Sequence, residues 1–211
     1  MEFEEAFQKC PLVAILRGIR PSEVEDIGEA LVQEGFRIIE VPLNSPDPLE
    51  SIARLRAKLG SRAILGAGTV LSQDAVHSVK QAGGDLIVMP HADLTVIAKA
   101  KELNLTCVPG IATPTEAFNA LKQGADALKL FPAEAISPAV VKAMRAVLPS
   151  GAKLLPVGGI TPDGMAGYLA AGANGFGLGG ALYAPRFTAD DVARRARRFL
   201  QTEALMRLCQ P

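Results

Sequence analysis

The chain carries no net charge: Lys plus Arg and Asp plus Glu are both 22. Aromatic residues make up 5% of it and tryptophan is missing. With no basic run interleaved with aromatics, nothing draws it to nucleic acid or to an anionic membrane. Cysteine is scarce as well. Cys10, Cys107 and Cys209 are odd in number, far apart and outside CxxC spacing, which argues against a disulfide framework or a zinc site and suits a reducing cytoplasm. No apolar stretch approaches about 18 residues, and the acidic start MEFEEAFQKC reads as a short helix without the basic-then-apolar order of a signal peptide. No membrane partner is expected. The two histidines, His77 in a predicted helix and His91 after Pro90, have no carboxylate cluster beside them and suit surface or loop roles, so neither a metal nor another cofactor is expected.

What the chain does have is a large apolar fraction, 49% of 211 residues, enough for the core of one domain spanning 1–211. Short β-rich runs begin near Leu12, Phe36, Ala63, Leu86, Thr106, Ala127, Lys153 and Gly175, so they recur every 20–27 residues. Between them lie stretches of helical spacing, many opened by Ser, Thr, Asp or Pro, with Thr113 and Glu116 in capping-box order. Several of these stretches close on a glycine: Gly35, Gly60, Gly83, Gly124 and Gly172. Eight βα units without a linker predict a (β/α)8 TIM barrel preceded by a short N-terminal helix. An open doubly wound sheet is the second possibility, but the Gly-rich turn it needs after its first strand is missing.

The run DALKLFPAEA, 126–135, places a lysine among apolar residues. An ammonium is costly to remove from water, so Lys129 is either ion-paired or employed. Strand alternation sends Leu128 and Leu130 toward the helices and Ala127, Lys129 and Phe131 inward, with the amine near the C-terminal mouth where barrel enzymes do their chemistry. The same alternation turns Val13, Ile15 and Arg17 inward on the first strand and Ile38, Glu40 and Pro42 inward on the second. In AILGAGTV, Leu65, Ala67 and Thr69 share one face, read as the inward one, and Thr69 stands at the mouth, where it would converge with Lys129, Glu40 and Arg17. A structural ion pair with Lys129 is the plain alternative for Glu40, as a loop carboxylate is for Arg17 and a helix cap for Thr69. The last two strands end in Gly158-Gly159 and Gly179-Gly180, where backbone N–H groups can approach an anion closely and where barrels often hold phosphate, aided by a helix N-terminus.

The segments AILRGI, EVPLNSP, GAGTVL, PGIATPTEAF, DALKLFPAEA and PVGGITPDG follow one another along nearly the whole chain. In that order they resemble the 2-dehydro-3-deoxy-phosphogluconate and -phosphogalactonate aldolases. The resemblance implies a cytoplasmic class I aldolase, a homotrimeric barrel that cleaves a phosphorylated keto-deoxy sugar acid to pyruvate and glyceraldehyde 3-phosphate without a cofactor. It further implies that Lys129 forms the Schiff base, Glu40 acts as general acid and base, and Arg17 binds the carboxylate. Thr69, Pro90 and Phe131 would line the pocket, and the four glycines would hold the phosphate. Family members specific for the gluconate epimer tend to read PTGG where this chain has Val157, so EVPLNSP and Val157 favour the galactonate branch; they usually carry GS in place of Gly179-Gly180, so the phosphate contact lacks that serine hydroxyl. The gluconate epimer and 4-hydroxy-2-oxoglutarate remain alternative substrates. More distant alternatives are a barrel that acts on a phosphometabolite without a Schiff base and one that only binds it.

The expected chemistry follows from the side chains. An apolar setting and nearby Arg17 lower the pKa of Lys129, so that enough neutral amine exists to attack a ketone. The resulting iminium is an electron sink for C3–C4 cleavage, and Glu40 takes the C4 hydroxyl proton directly or through water.

Overall fold

In the computed structural model, which describes residues 1–208, each predicted run becomes a strand starting within two residues of its expected place. The strands are β1 (Leu12–Ile15), β2 (Ile38–Pro42), β3 (Ile64–Gly68), β4 (Leu86–Val88), β5 (Thr106–Val108), β6 (Gly110–Ile111), β7 (Leu128–Leu130), β8 (Leu154–Pro156) and β9 (Phe176–Leu178). The helices are α1 (Phe3–Lys9), α2 (Pro21–Glu34), α3 (Pro48–Leu59), α4 (Gln73–Gln81), α5 (Leu94–Glu102), α6 (Pro114–Lys122), α7 (Pro138–Arg145), α8 (Met165–Ala170), α9 (Ala189–Leu200) and α10 (Glu203–Leu208). Thr113 and Glu116 close the expected capping box on α6. The five glycines predicted to end helical stretches all have positive φ, the left-handed conformation that lets the chain leave a helix at little steric cost.

One continuous eight-stranded sheet was expected, and the hydrogen bonding differs. A parallel half-barrel of six strands, β5-β4-β3-β2-β1-β9, stands beside a three-stranded parallel sheet, β6-β7-β8. The cause lies in TCVPGI. Pro109 has no N–H to donate and splits this run into β5 and β6. The two sheets still meet at both edges. Lys129 N–H donates to Pro109 O at 2.9 Å and Asp126 N–H to Cys107 O at 3.0 Å. On the opposite side Val157 forms a single parallel bridge to Gly177, and Asn174 N–H donates to Leu154 O at 2.9 Å.

Two apolar layers follow from the period of two. Leu12, Ala14, Leu16, Ile39, Val41, Leu128 and Leu130 belong to the outer layer shared with the helices. Val13, Ile38, Ile64, Leu86, Val108, Ala127 and Leu155 form a separate inner cluster, and Phe3, Ala6 and Phe7 of α1 join it. The N-terminal helix thus stoppers the end of the sheet where strands begin, and a Lys153–Glu4 ion pair at 2.7 Å holds it there. Fully burying each large aliphatic side chain contributes about 1.5–3 kcal/mol, so this small layer is a substantial anchor. The alternation predicted for β1, β2 and β7 is observed. For β3 it is reversed: Leu65 and Ala67 lie in the outer layer, Ile64 lies inside, and Gly66 and Gly68 share the inward face. Cys10 and Cys107 are buried thiols, and Cys209 lies outside the described residues. No helix among the described residues is long and apolar enough to cross a membrane.

Candidate active site

A cleft of about 300 Å³ opens at the C-terminal ends of the strands. Arg17, Lys129, Phe131, Val157, Gly158, Gly159, Gly179 and Gly180, all anticipated from sequence, line it. Lys129 lies at the centre of β7, between Gly110 of β6 and Leu155 of β8, and is only 5% exposed. Its Nζ stands 4.5 Å from the centre of the Phe131 ring. Burial pulls the lysine pKa below its ordinary value and the Arg17 charge adds to this, while Glu40 opposes it.

Glu40 sits deeper, 1% exposed, on the inward face of β2. Its carboxyl has room because β3 presents glycine there: a Cβ on Gly68 would overlap the Glu40 carboxylate. Burial pushes the Glu40 pKa up to about 7, against the lowering effects of Lys129, Arg17 and the Gly68 backbone amide. Oε2 is buried without a hydrogen-bonding partner among the described residues. No ion pair joins Glu40 to Lys129 within 4 Å. A fixed structural salt bridge is therefore not what keeps this lysine inside. Carboxyl and amine are each pushed toward their neutral forms, the direction in which a buried acid and amine become able to exchange a proton and an amine to add to a carbonyl.

Arg17, by contrast, is exposed at the rim, just past β1. Its Nη1 donates to Asn44 Oδ1 at 2.7 Å, and Gly18 N–H donates to Ser45 Oγ at 2.9 Å. These two bonds tie the loop after β1 to the NS pair of EVPLNSP and aim the guanidinium. The roles of Asn44 and Ser45 were not anticipated, although the motif contained them. Ile160, Thr161 and Ala181 also line the cleft without having been anticipated; Thr161 opens the TPDG segment, which reads by itself as a helix start.

The two glycine pairs differ. Gly158 and Gly159 have φ of 116° and 62°, so glycine is required there by conformation, and a Cβ on either would press on the end of the Glu134 side chain. A Cβ on Gly179 or Gly180 would meet nothing within 4 Å, which leaves open room beside that loop. The expected helix N-terminus is weak at both loops. A short 3-10 turn, Pro162–Gly164, precedes the six-residue α8, and α9 begins only at Ala189. Thr69, half-buried just past β3 with φ of 56°, and Pro90, just past β4, are not among the cleft-lining residues. Left-handed backbone, and not alternation, sets where Thr69 points. His77 on α4 and His91 after β4 are both exposed.

Val157 joins the two sheets. It is buried, and its γ-carbons fill the space over Gly177, while its backbone accepts from Ala133 N–H at 2.9 Å and donates to Leu130 O at 3.0 Å. Its side chain faces the same cleft as Lys129.

The chain is similar to known proteins in sequence and in fold. The probable 2-dehydro-3-deoxy-6-phosphogalactonate aldolase of Rhizobium meliloti (strain 1021) is 44% identical over 186 residues, 88% of each chain. The 2-dehydro-3-deoxy-6-phosphogalactonate aldolase of Escherichia coli (strain K12) is 43% identical over 193 residues, 92% of this chain and 94% of that one. A solved structure of native KDPGal superposes with a TM-score of 0.92 at 42% identity, over 96% of this chain and 98% of the other. The family described as "Aldolase: KDPG and KHG aldolase" matches residues 3–196, so the buried lysine and carboxyl lie in a chain that belongs to the KDPG and KHG aldolases.

Proposed function

We propose that the chain is a class I aldolase that cleaves 2-dehydro-3-deoxy-6-phosphogalactonate to pyruvate and D-glyceraldehyde 3-phosphate through a Schiff base on Lys129. The observation that carries this reading is the single buried amine in the cleft, with its pKa lowered by burial, beside a carboxyl whose pKa is raised to about 7. Identity of 43–44% to two galactonate aldolases supports the substrate.

In this mechanism Arg17 binds the substrate carboxylate, which brings the C2 ketone to Nζ of Lys129. The neutral amine adds to C2, and the carbinolamine loses water as Glu40 moves protons between nitrogen and oxygen. The iminium then accepts the electron pair of the C3–C4 bond while Glu40 takes the C4 hydroxyl proton, releasing glyceraldehyde 3-phosphate. Protonation of the enamine at C3 and hydrolysis of the pyruvate iminium return Lys129 and Glu40 to their starting states. The Gly158-Gly159 and Gly179-Gly180 loops face the phosphate, Phe131 covers the amine, and Val157 contacts the sugar chain near C4. Thr69 and Pro90 act at the margin, near the pyruvate end.

The two sheets belong to one closed (β/α)8 barrel forming a single domain over 1–211. The Val157–Gly177 bridge and the bonds to Pro109 O and Cys107 O support closure. The chain works as a homotrimer in the cytoplasm. Exposed Leu49, Leu71 and Leu94, near the N-terminal ends of α3 to α5, and Phe118 at the middle of α6 support an assembly surface, and the buried thiols Cys10 and Cys107 suit a reducing compartment.

Borohydride reduction in the presence of pyruvate, followed by peptide mass mapping, tests the mechanism. The added mass is expected on Lys129 alone. Modification of another lysine, or none, would overturn the Schiff base.

A further inference from the structure

Arg17, at the rim of the cleft, has a neutral partner. It follows β1, and Asn44 follows β2, four residues beyond Glu40. The backbone of the Arg17 loop is fixed without either side chain: Leu16 N–H donates to Glu40 O at 3.0 Å and Ile19 N–H to Leu16 O at 3.2 Å, while Gly18 N–H donates to Ser45 Oγ at 2.9 Å. On the far side Pro185, in the loop after β9, packs on Gly18 so closely that a Cβ there would stand 3.0 Å from the proline Cγ. Asn44 therefore acts on the guanidinium and not on the loop, its Oδ1 accepting from Arg17 Nη1 at 2.7 Å. Arg54, Arg56, Arg62 and Arg197 each pair with a carboxylate. Arg17 joins none in an ion pair among the described residues.

This choice of partner bears on what Arg17 can bind. A guanidinium that gives one N–H to an amide oxygen keeps its charge and the rest of its donor fork for a carboxylate. An aspartate in the same place would orient the guanidinium equally well, but it would cancel the charge and repel an arriving carboxylate. We propose that Asn44 is a positioning residue for carboxylate recognition: its neutral oxygen fixes the Arg17 guanidinium at the cleft and leaves the whole charge to the carboxylate of a 2-keto acid. The same charge reaches further in. Arg17 acts on both Glu40 and Lys129, favouring the ionised carboxyl and the neutral amine, and an acid at position 44 would weaken that influence too. The proposal rests on the reading above that Arg17 takes the substrate carboxylate, and deepens it.

The test compares pyruvate with methyl pyruvate, the same ketone without the negative charge, in borohydride trapping on Lys129 of the intact protein. Dividing the half-saturating concentration of the ester by that of the acid gives a carboxylate preference, in which any change to Lys129 itself cancels. Wild type is expected to prefer pyruvate. Asn44→Ala, which frees the guanidinium but spares its charge, should lower the preference about five-fold. Asn44→Asp, which holds the guanidinium but cancels its charge, should lower it about ten-fold or more. A wild-type ratio in Asn44→Ala would deny the positioning role, and one in Asn44→Asp would show that a neutral partner is not needed; either result overturns the proposal. Arg17→Ala tests the reading beneath it. A preference that survives this change, or a wild type with no pyruvate adduct or no preference, removes Arg17 as the carboxylate site and the proposal with it, whereas a preference lost with Arg17 and kept in both Asn44 variants sinks the role of Asn44 alone.

Discussion

The lower and upper halves of the interior are built on the same strands, two residues apart, and behave oppositely. Ile38 and Ala127 close the apolar layer over α1, and one step further along the same faces stand Glu40 and Lys129. The lower layer cannot hold a charge and needs none. The upper layer holds two titratable groups, and both pKa values move toward neutrality because the apolar floor excludes water beneath them. Depth along a strand therefore decides whether an inward side chain packs in an apolar layer or titrates, and the floor is part of what shifts both groups.

Breaking the reactive layer should have the largest effect. Glu40→Gln is expected to lose about 10²–10⁴-fold in kcat while still trapping pyruvate on Lys129. Steady-state kinetics beside borohydride trapping checks both, and near-wild-type turnover would remove Glu40 from proton transfer. In the wild type the acid limb of kcat/KM should rise with pH through about 7, where Glu40 ionises, and this limb should vanish in the glutamine variant.

A cut in the floor should cost stability first. Ile38→Ala removes a fully buried side chain below Glu40 and is expected to destabilise the fold by about 2–5 kcal/mol in urea titrations. If the floor also sustains the pKa shifts, the same variant moves the acid limb downward from about 7 as water enters; an unmoved limb would separate floor from chemistry.

The carboxyl itself also bears on stability. Its folded-state pKa, about 7, lies above the ordinary 4.5, so the protonated form favours the folded state. The wild type should thus lose stability relative to Glu40→Gln as pH rises from about 4.5 to 7, by about 3 kcal/mol in all. Parallel denaturation curves at pH 5 and 8 measure it, and a constant difference between the two proteins would contradict the burial argument.

The smallest expected effect sharpens the contrast at the rim. Val157 offers no hydroxyl to the C4 hydroxyl of the substrate, and a site discriminates epimers by leaving its own polar group unpaired with the wrong one. Val157→Thr should shift the kcat/KM ratio toward the gluconate epimer by about ten- to thirty-fold, or about 1–2 kcal/mol. A ratio unmoved by the mutation would confine Val157 to joining the sheets.

Much of this was readable from local pattern. The spacing of apolar runs, the helix-ending glycines and the capping box at Thr113 and Glu116 depend on a few neighbouring residues, and so does the sign that Lys129 is out of place in its strand. Alternation assigned the faces of β1, β2 and β7 because one face of each carries a polar or charged residue. It failed on β3, where AILGAGTV offers only small and apolar residues on both faces. There the neighbouring strands decide: a Cβ on Gly66 would overlap the Leu86 backbone and one on Gly68 the Glu40 carboxylate. Pro109 could be seen to lack an N–H, but not that its carbonyl would receive the Lys129 N–H. In the same way ARRARRF showed four cations without showing which two would find acids; Glu34, which takes Arg197, is 163 residues away. By itself the sequence determined the order of elements and the residue types available at the mouth, because backbone propensity and side-chain period act within a few residues. Only the tertiary structure decided that Glu40 is buried without a partner for Oε2 among the described residues, that Asn44 aims Arg17, and that Arg195 and Arg198 line a cavity with Thr161 and Ala181. Burial and charge pairing depend on whatever distant segments are brought alongside, and no local period encodes them.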